Sequence, residues 1–136
     1  MIAFLDASAL IYLIEGAAPL AAKARQCLRC LQARHGDLRL AVSRLTWLEC
    51  RVGPLKTNDA ATLAVYDAFF ARPDLLTVEI GARAVELAAV IRAHRGLKTP
   101  DALQAACCLQ LGAAHVFVTG DAVFDRVPGL QVTRIG

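Results

Sequence analysis

Four acidic residues, Asp6, Glu49, Asp101 and Asp121, are spread through a chain of 136 residues. Three follow, or open a helix near, short apolar or turn segments, and the fourth stands on a helical stripe. A parallel α/β fold gathers such positions at one sheet edge. Carboxylates gathered this way repel one another unless a hard cation lies between them. Oxygen ligands without a nearby histidine or cysteine suit Mg²⁺ or Mn²⁺ rather than zinc. Such an ion can activate water and steady a leaving oxygen, so the set points to phosphodiester chemistry.

Taken singly, each acid has a plainer role. Asp6 directly follows the apolar run Ile2 to Leu5, beyond the carboxyl end of a strand, where α/β folds bind ligands. It would also serve as a helix cap. Glu49 sits within the stripe Leu45, Leu48, Val52, which is expected to face the core. A carboxylate there is costly unless it is paired or binds a cation, and Arg51 or Arg95 would be the partner of a simple ion pair. Asp101 lies in the first turn of a helix after Thr99-Pro100, where the helix dipole favours negative charge. Asp121, in Thr119-Gly120-Asp121, would cap a short helix. Asp125 follows one turn later and either joins the cluster or faces solvent. Ser8 and Thr119 are placed to offer hydroxyls to water at the site.

The elements that must position these residues alternate in type. Strands are expected at Ile2 to Leu5, Leu38 to Val42, Leu75 to Ile80, His115 to Val118 and near Leu130 to Val132. The spacing of Leu20, Ala24, Cys27, Leu28 and Leu31, with Lys23, Arg25 and Arg29 opposite, predicts an amphipathic helix. Ser43 caps a helix that Gly53-Pro54 is expected to break or kink. Asn58 or Asp59 starts another. Ala84, Leu87, Ala88 and Ile91 mark a helix stopping at Gly96. Thr99 as cap and Pro100 at the first helical position open the next, with Ala102, Ala105, Ala106 and Leu109 facing inward. This alternation predicts an α/β fold with a parallel sheet in a single domain, residues 1–136.

The composition narrows the function classes. Hydrophobic residues make up 57% and charged ones 20%, which excludes disorder and hints at apolar surface for a partner or a second copy. The net charge of +3 neither demands nor opposes nucleic-acid binding. The five cysteines are odd in number and follow no visible leader, so reduced thiols in the cytoplasm are expected. Cys27-Leu28-Arg29-Cys30 lacks a second pair and lies in a helical pattern, which argues against zinc. No apolar run is long enough to span a membrane.

Four segments in order carry a family resemblance. Asp6-Ala7-Ser8-Ala9-Leu10 matches the D-x-S-x-L opening of PIN-domain nucleases, and Ser43-Arg44-Leu45-Thr46-Trp47-Leu48-Glu49 their S-x-L-T-x-x-E. Leu97-Lys98-Thr99-Pro100-Asp101-Ala102-Leu103 matches L-K-T-P-D-A-L, and Thr119-Gly120-Asp121-Ala122-Val123-Phe124 resembles T-N-D-x-x-F. The size and blocks are most similar to VapC toxins of type II toxin–antitoxin modules. The resemblance implies a three-layer α/β/α fold with a parallel sheet of four or five strands. It also implies Mg²⁺- or Mn²⁺-dependent endoribonuclease activity on RNA, inhibition by a cognate VapB-type antitoxin, and a homodimer. It assigns Asp6, Glu49, Asp101 and Asp121 to the acidic metal-binding and catalytic set, and less firmly Ser8, Thr119 and Asp125. Two positions depart from the pattern: Gly120 replaces the usual Asn and Gln104 a frequent His.

Arg92, Arg95, Lys98 and Arg126 are candidates to hold an RNA backbone, and no aromatic stacking platform is evident. The Trp47 region and the N-terminal helices would form an antitoxin groove or simply core. Two other classes compete. An aspartate-phosphorylated phosphatase or receiver domain would use Asp6 as nucleophile, but a phosphatase of that type wants an acid where Ser8 stands. A non-catalytic PIN-like module would bind RNA or protein without cleavage.

Overall fold

The computed structural model describes all residues from Met1 to Gly136. Five strands form one parallel sheet: β1 (Ile2–Leu5), β2 (Arg39–Ser43), β3 (Leu76–Val78), β4 (His115–Thr119) and β5 (Val132–Arg134), in the order β3-β2-β1-β4-β5. Six α-helices join them: α1 (Ala7–Glu15), α2 (Ala18–Arg34), α3 (Arg44–Lys56), α4 (Ala60–Phe70), α5 (Ala82–Arg95) and α6 (Thr99–Leu109). A 3₁₀ helix at Ala122–Arg126 precedes β5.

Side chains alternate across each strand, so the sheet buries two faces. Phe4, Ala41, Val78 and Phe117 face a core shared with α5, α6 and the 3₁₀ helix. Leu5, Val42 and Val118 face the core under α1, α2, α3 and α4. This is the expected α/β/α layering. Phe4, Phe117 and Phe124 are almost wholly buried and contribute roughly 1.5–3 kcal/mol each by leaving water. Helix α6 is narrow where it meets the sheet: Ala102, Ala105 and Ala106 are buried, and such small side chains let its backbone approach closely. The strand order reverses direction between β1 and β4, the switch point at which α/β sheets leave a crevice.

Several local expectations are corrected. Gly53-Pro54 does not end α3, which continues to Lys56. Proline in the last turn forfeits only one backbone donor, and the Pro54 ring is itself buried. Thr99 is the first residue of α6 rather than its cap; Lys98 occupies the cap position without a side-chain bond. Leu20 lies at the exposed side of α2, where Ala21, Ala24 and Leu31 are buried instead. The last strand starts later than expected, at Val132. Most consequentially, Leu48 and Val52 are exposed, while Thr46, Cys50 and Pro54 form the buried face of α3. Glu49 therefore lies beside the core-facing row rather than within it. Trp47 takes the core reading: its ring stacks on Phe70 with centroids 4.6 Å apart.

Candidate active site

Asp6, at the end of β1, is the centre of a polar clamp. It caps α1 by accepting from the Ala9 amide at 2.9 Å, which satisfies one of the donors a helix start leaves free. The same oxygen, Oδ1, accepts from Ser8 Oγ at 2.7 Å. Oδ2 accepts from Thr119 Oγ1, at the end of β4, at 2.5 Å. Each hydroxyl also accepts a backbone donor from the next loop: Gly120 N to Ser8 Oγ at 3.0 Å and Asp121 N to Thr119 Oγ1 at 3.0 Å. The β1 and β4 ends are thus locked together across the switch point. Ser8 and Thr119 both donate their hydroxyl protons to Asp6. Burial pushes the Asp6 carboxyl above its ordinary value, against the three hydrogen bonds that pull it down; Asp101 adds a smaller upward push.

Glu49 is held from the other side. Gln104, 2% exposed on α6, accepts from Ser43 Oγ at 2.8 Å through Oε1. Its Nε2 donates to Thr46 Oγ1 at 2.8 Å and to Glu49 Oε1 at 3.0 Å. The amide uses both donors and one acceptor site, so it ties the β2 end, α3 and α6 to one carboxylate. Burial raises the Glu49 carboxyl, the Gln104 bond lowers it, and the charges of Asp101 and Asp6 raise it again. In the sequence Gln104 stands out only as a departure from the family pattern. The available signal was a lone amide among the small apolar residues of α6, where a polar group needs partners.

Asp101 and Asp121 are held more loosely. Asp101 lies half-buried in the first turn of α6 and its carboxylate makes no hydrogen bond within the chain. Burial pushes its carboxyl up, the charge of Asp121 adds to this, and Lys98 opposes it. Asp121 is exposed and caps the 3₁₀ helix, accepting from Val123 N at 2.9 Å. Asp125 does not join them. It is exposed and faces Arg134 at 3.8 Å.

The structure therefore brings Asp6, Glu49, Asp101 and Asp121 within electrostatic reach of one another. None is in an ion pair, since the paired acids are Asp37, Glu79, Asp67, Asp74 and Asp125. Arg51, a possible partner for Glu49, binds Asp67 instead. Arg92 is turned to the Leu97 carbonyl at 2.9 Å. The largest cavity, about 650 Å³ along α2 and the C-terminal residues, is lined by none of the four acids. No three His, Cys, Asp or Glu side chains are arranged closely enough to hold a metal ion as they stand. The set fits a hard divalent ion in donor chemistry and in unneutralised charge, and the unbonded Asp101 carboxylate is free to turn toward one.

The cysteines play no part in this edge. All five are free, and burial pushes the Cys50 and Cys108 thiols to about 12 and Cys107 to about 11, which keeps them unreactive.

Residues 3–130 match the family model of the PIN domain. VapBC2 from Rickettsia felis, solved bound to a DNA fragment from its promoter, superposes with a TM-score of 0.77 at 20% identity, covering 100% of both chains. A toxin–antitoxin complex from Klebsiella pneumoniae gives 0.72 at 24% identity over 96% of this chain and 95% of that one. VapBC-1 from nontypeable Haemophilus influenzae gives 0.70 at 20% identity over 98% of each. At such identities the likeness is one of fold. No curated protein sequence matches the chain.

Proposed function

We propose that this chain, which belongs to the PIN domain family, is a Mg²⁺- or Mn²⁺-dependent endoribonuclease and the toxin of a VapBC-type module. The observation that carries the reading is the set of four carboxylates, mutually repelling and without a cationic partner, at the switch point of the sheet. Asp6, Glu49, Asp101 and Asp121 are the residues that hold the ion. When bound, it supplies charge neutralisation at the scissile phosphate and a lowered pKa for water.

The chain's own groups do the rest. Ser8, Thr119 and the Ala9 amide fix Asp6 in one orientation, and Gln104 fixes Glu49. Preset groups of this kind need no reorganisation during reaction. Asp101, whose carboxylate makes no hydrogen bond within the chain, is the acid left free to turn toward the ion. Ser8 stands where a phosphatase of the aspartyl-phosphate type places a second carboxylate, which disfavours that reading.

A VapB-type antitoxin is the proposed protein partner, and a second copy of the chain the proposed dimer mate. The fold relatives solved as toxin–antitoxin complexes support the first. The exposed Leu48, Val52 and Leu55, which share one face of α3, support apolar docking in general. No helix is long and apolar enough to cross a membrane, and the proposed site of action is the cytoplasm, with RNA.

The test is cleavage of total cellular RNA by purified chain in Mg²⁺ or Mn²⁺, with and without EDTA, beside Asp101→Asn. Metal-dependent cleavage that the substitution abolishes supports the reading. RNA binding without cleavage in Mn²⁺ replaces it with the non-catalytic module.

A further inference from the structure

Tyr12 and Gly120 form a contact at the acid edge that the nuclease reading does not use. Ser8 and Tyr12 lie four residues apart on α1 and so share one face of it. Ser8 bonds Asp6 and receives the Gly120 amide. One turn later the Tyr12 ring packs directly on Gly120. A Cβ added at Gly120 would lie 2.4 Å from Tyr12 Cε2 and 2.9 Å from its phenol oxygen. Any side chain at position 120 would force the outer end of the Tyr12 ring to move. Gly120 is not in the left-handed region, so space, and not backbone conformation, is what favours glycine.

The phenol oxygen is thus placed beside the loop that carries Thr119 and Asp121. It differs from the other tyrosine: Tyr66 is buried and donates to Glu15. The only buried side-chain polar atom left unpaired is Trp47 Nε1. The Tyr12 oxygen makes no bond within the chain, so it opens to solvent. A neutral O–H donor at the rim of a carboxylate cluster has a use that none of the acids can serve. It can donate to an oxygen of an approaching polyanion, where the acids themselves only repel.

We infer that Tyr12 is a substrate-positioning residue whose phenol O–H donates to a ribose or phosphate oxygen of RNA at the acid edge. The inference rests on the nuclease reading for its substrate class. It makes Gly120 the residue that admits the ring. The contact is to the backbone and so is independent of base sequence.

The test uses a fluorophore-labelled pool of random single-stranded RNA. Binding is read by anisotropy in Ca²⁺, cleavage of total cellular RNA in Mn²⁺, and Mn²⁺ affinity by calorimetry. Tyr12→Phe removes the O–H and keeps the ring. It is expected to weaken RNA binding and raise KM by about tenfold, the scale of one lost hydrogen bond to a charged group. Its kcat and Mn²⁺ affinity should stay near wild type. Gly120→Ala, which displaces the ring, should weaken binding in the Tyr12 background and add little in Tyr12→Phe. Wild-type binding and KM in Tyr12→Phe would overturn the inference, as would a wild-type chain that does not bind the pool. If wild type binds RNA but cleaves none, the nuclease reading alone fails, and the binding arm still decides the role of Tyr12.

Discussion

The acid edge has two unlike halves. Asp6 and Glu49 are tied down, the first by Ser8, Thr119 and a helix-start amide, the second by Gln104. Asp101 has no hydrogen bond, and Asp121 is exposed on a short 3₁₀ turn. The bonds in the first half are internal to the fold and repay part of the cost of burying charge. The second half carries charge that no ion pair neutralises and that Lys98 offsets only in part. The first half thus defines where a cation must sit, while the second supplies ligands that settle only when it arrives. Substitutions should separate the two: losses in the first half disturb folding and metal together, and loss of Asp101 disturbs metal alone.

The largest effect is expected for Asp6→Ala, which strands the Ala9 amide and the hydroxyls of Ser8 and Thr119. Unpaired buried donors and a lost cap should cost about 2–4 kcal/mol in denaturant unfolding. Asp101→Ala should leave the same unfolding curve unchanged or improved. Similar losses from both would erase the distinction between the halves.

Gln104→Met comes next. It keeps the side-chain length but orphans Ser43, Thr46 and Glu49, for a cost of about 2 kcal/mol. Mn²⁺ affinity should fall about tenfold or more, as when a hydrogen bond that orients a ligand is removed. Gln104→His, which can still donate to Glu49, should recover part of both. Calorimetry that finds full Mn²⁺ affinity in Gln104→Met would show that Glu49 needs no such support.

A smaller effect concerns pH. Burial and the charge of Asp121 both disfavour the ionised form of Asp101, so the folded chain takes up its proton more readily than the unfolded chain. Ionised Asp101 therefore costs stability at pH above its raised pKa, and the cost is gone once pH falls below the ordinary 3.8. Without divalent cations, Asp101→Asn should raise Tm at pH 7 by about a degree or two. The gain should vanish in acid, and saturating Mn²⁺ should reverse it by stabilising wild type. A Tm gain that persists below pH 3.8 would assign the effect to something other than charge.

The smallest effect is expected outside both halves. Asp125 makes only an exposed contact with Arg134 at 3.8 Å, so Asp125→Ala should change stability by less than about 0.5 kcal/mol and leave Mn²⁺ affinity intact. A clear loss of metal binding would return Asp125 to the site.

The sequence revealed what is encoded locally. Asp6 and Ser43 read as helix caps, and each accepts the expected backbone amide; of Asn58 and Asp59, which the sequence leaves open, it is Asp59 that caps α4. Strand and helix alternation was enough to place the acids at one sheet edge. Interactions across long separations were hidden. Gln104 meets its partners across 55 to 61 residues, and the reason for Gly120 is a ring on α1. The α3 stripe misled for a different reason. Leu48 and Val52 have the spacing of a buried face, but apolar spacing does not say which of two faces the sheet covers. Thr46 could go inside because Gln104 satisfies its hydroxyl.

The central claim is that the four acids act as one divalent-cation site. Calorimetric titration of the metal-free chain with Mn²⁺ tests it most directly, beside Asp101→Asn and Asp125→Asn. The account predicts saturable binding by wild type, an affinity about tenfold or more weaker in Asp101→Asn, and no change in Asp125→Asn. Absence of saturable binding in wild type, or equal affinity in wild type and Asp101→Asn, would contradict it.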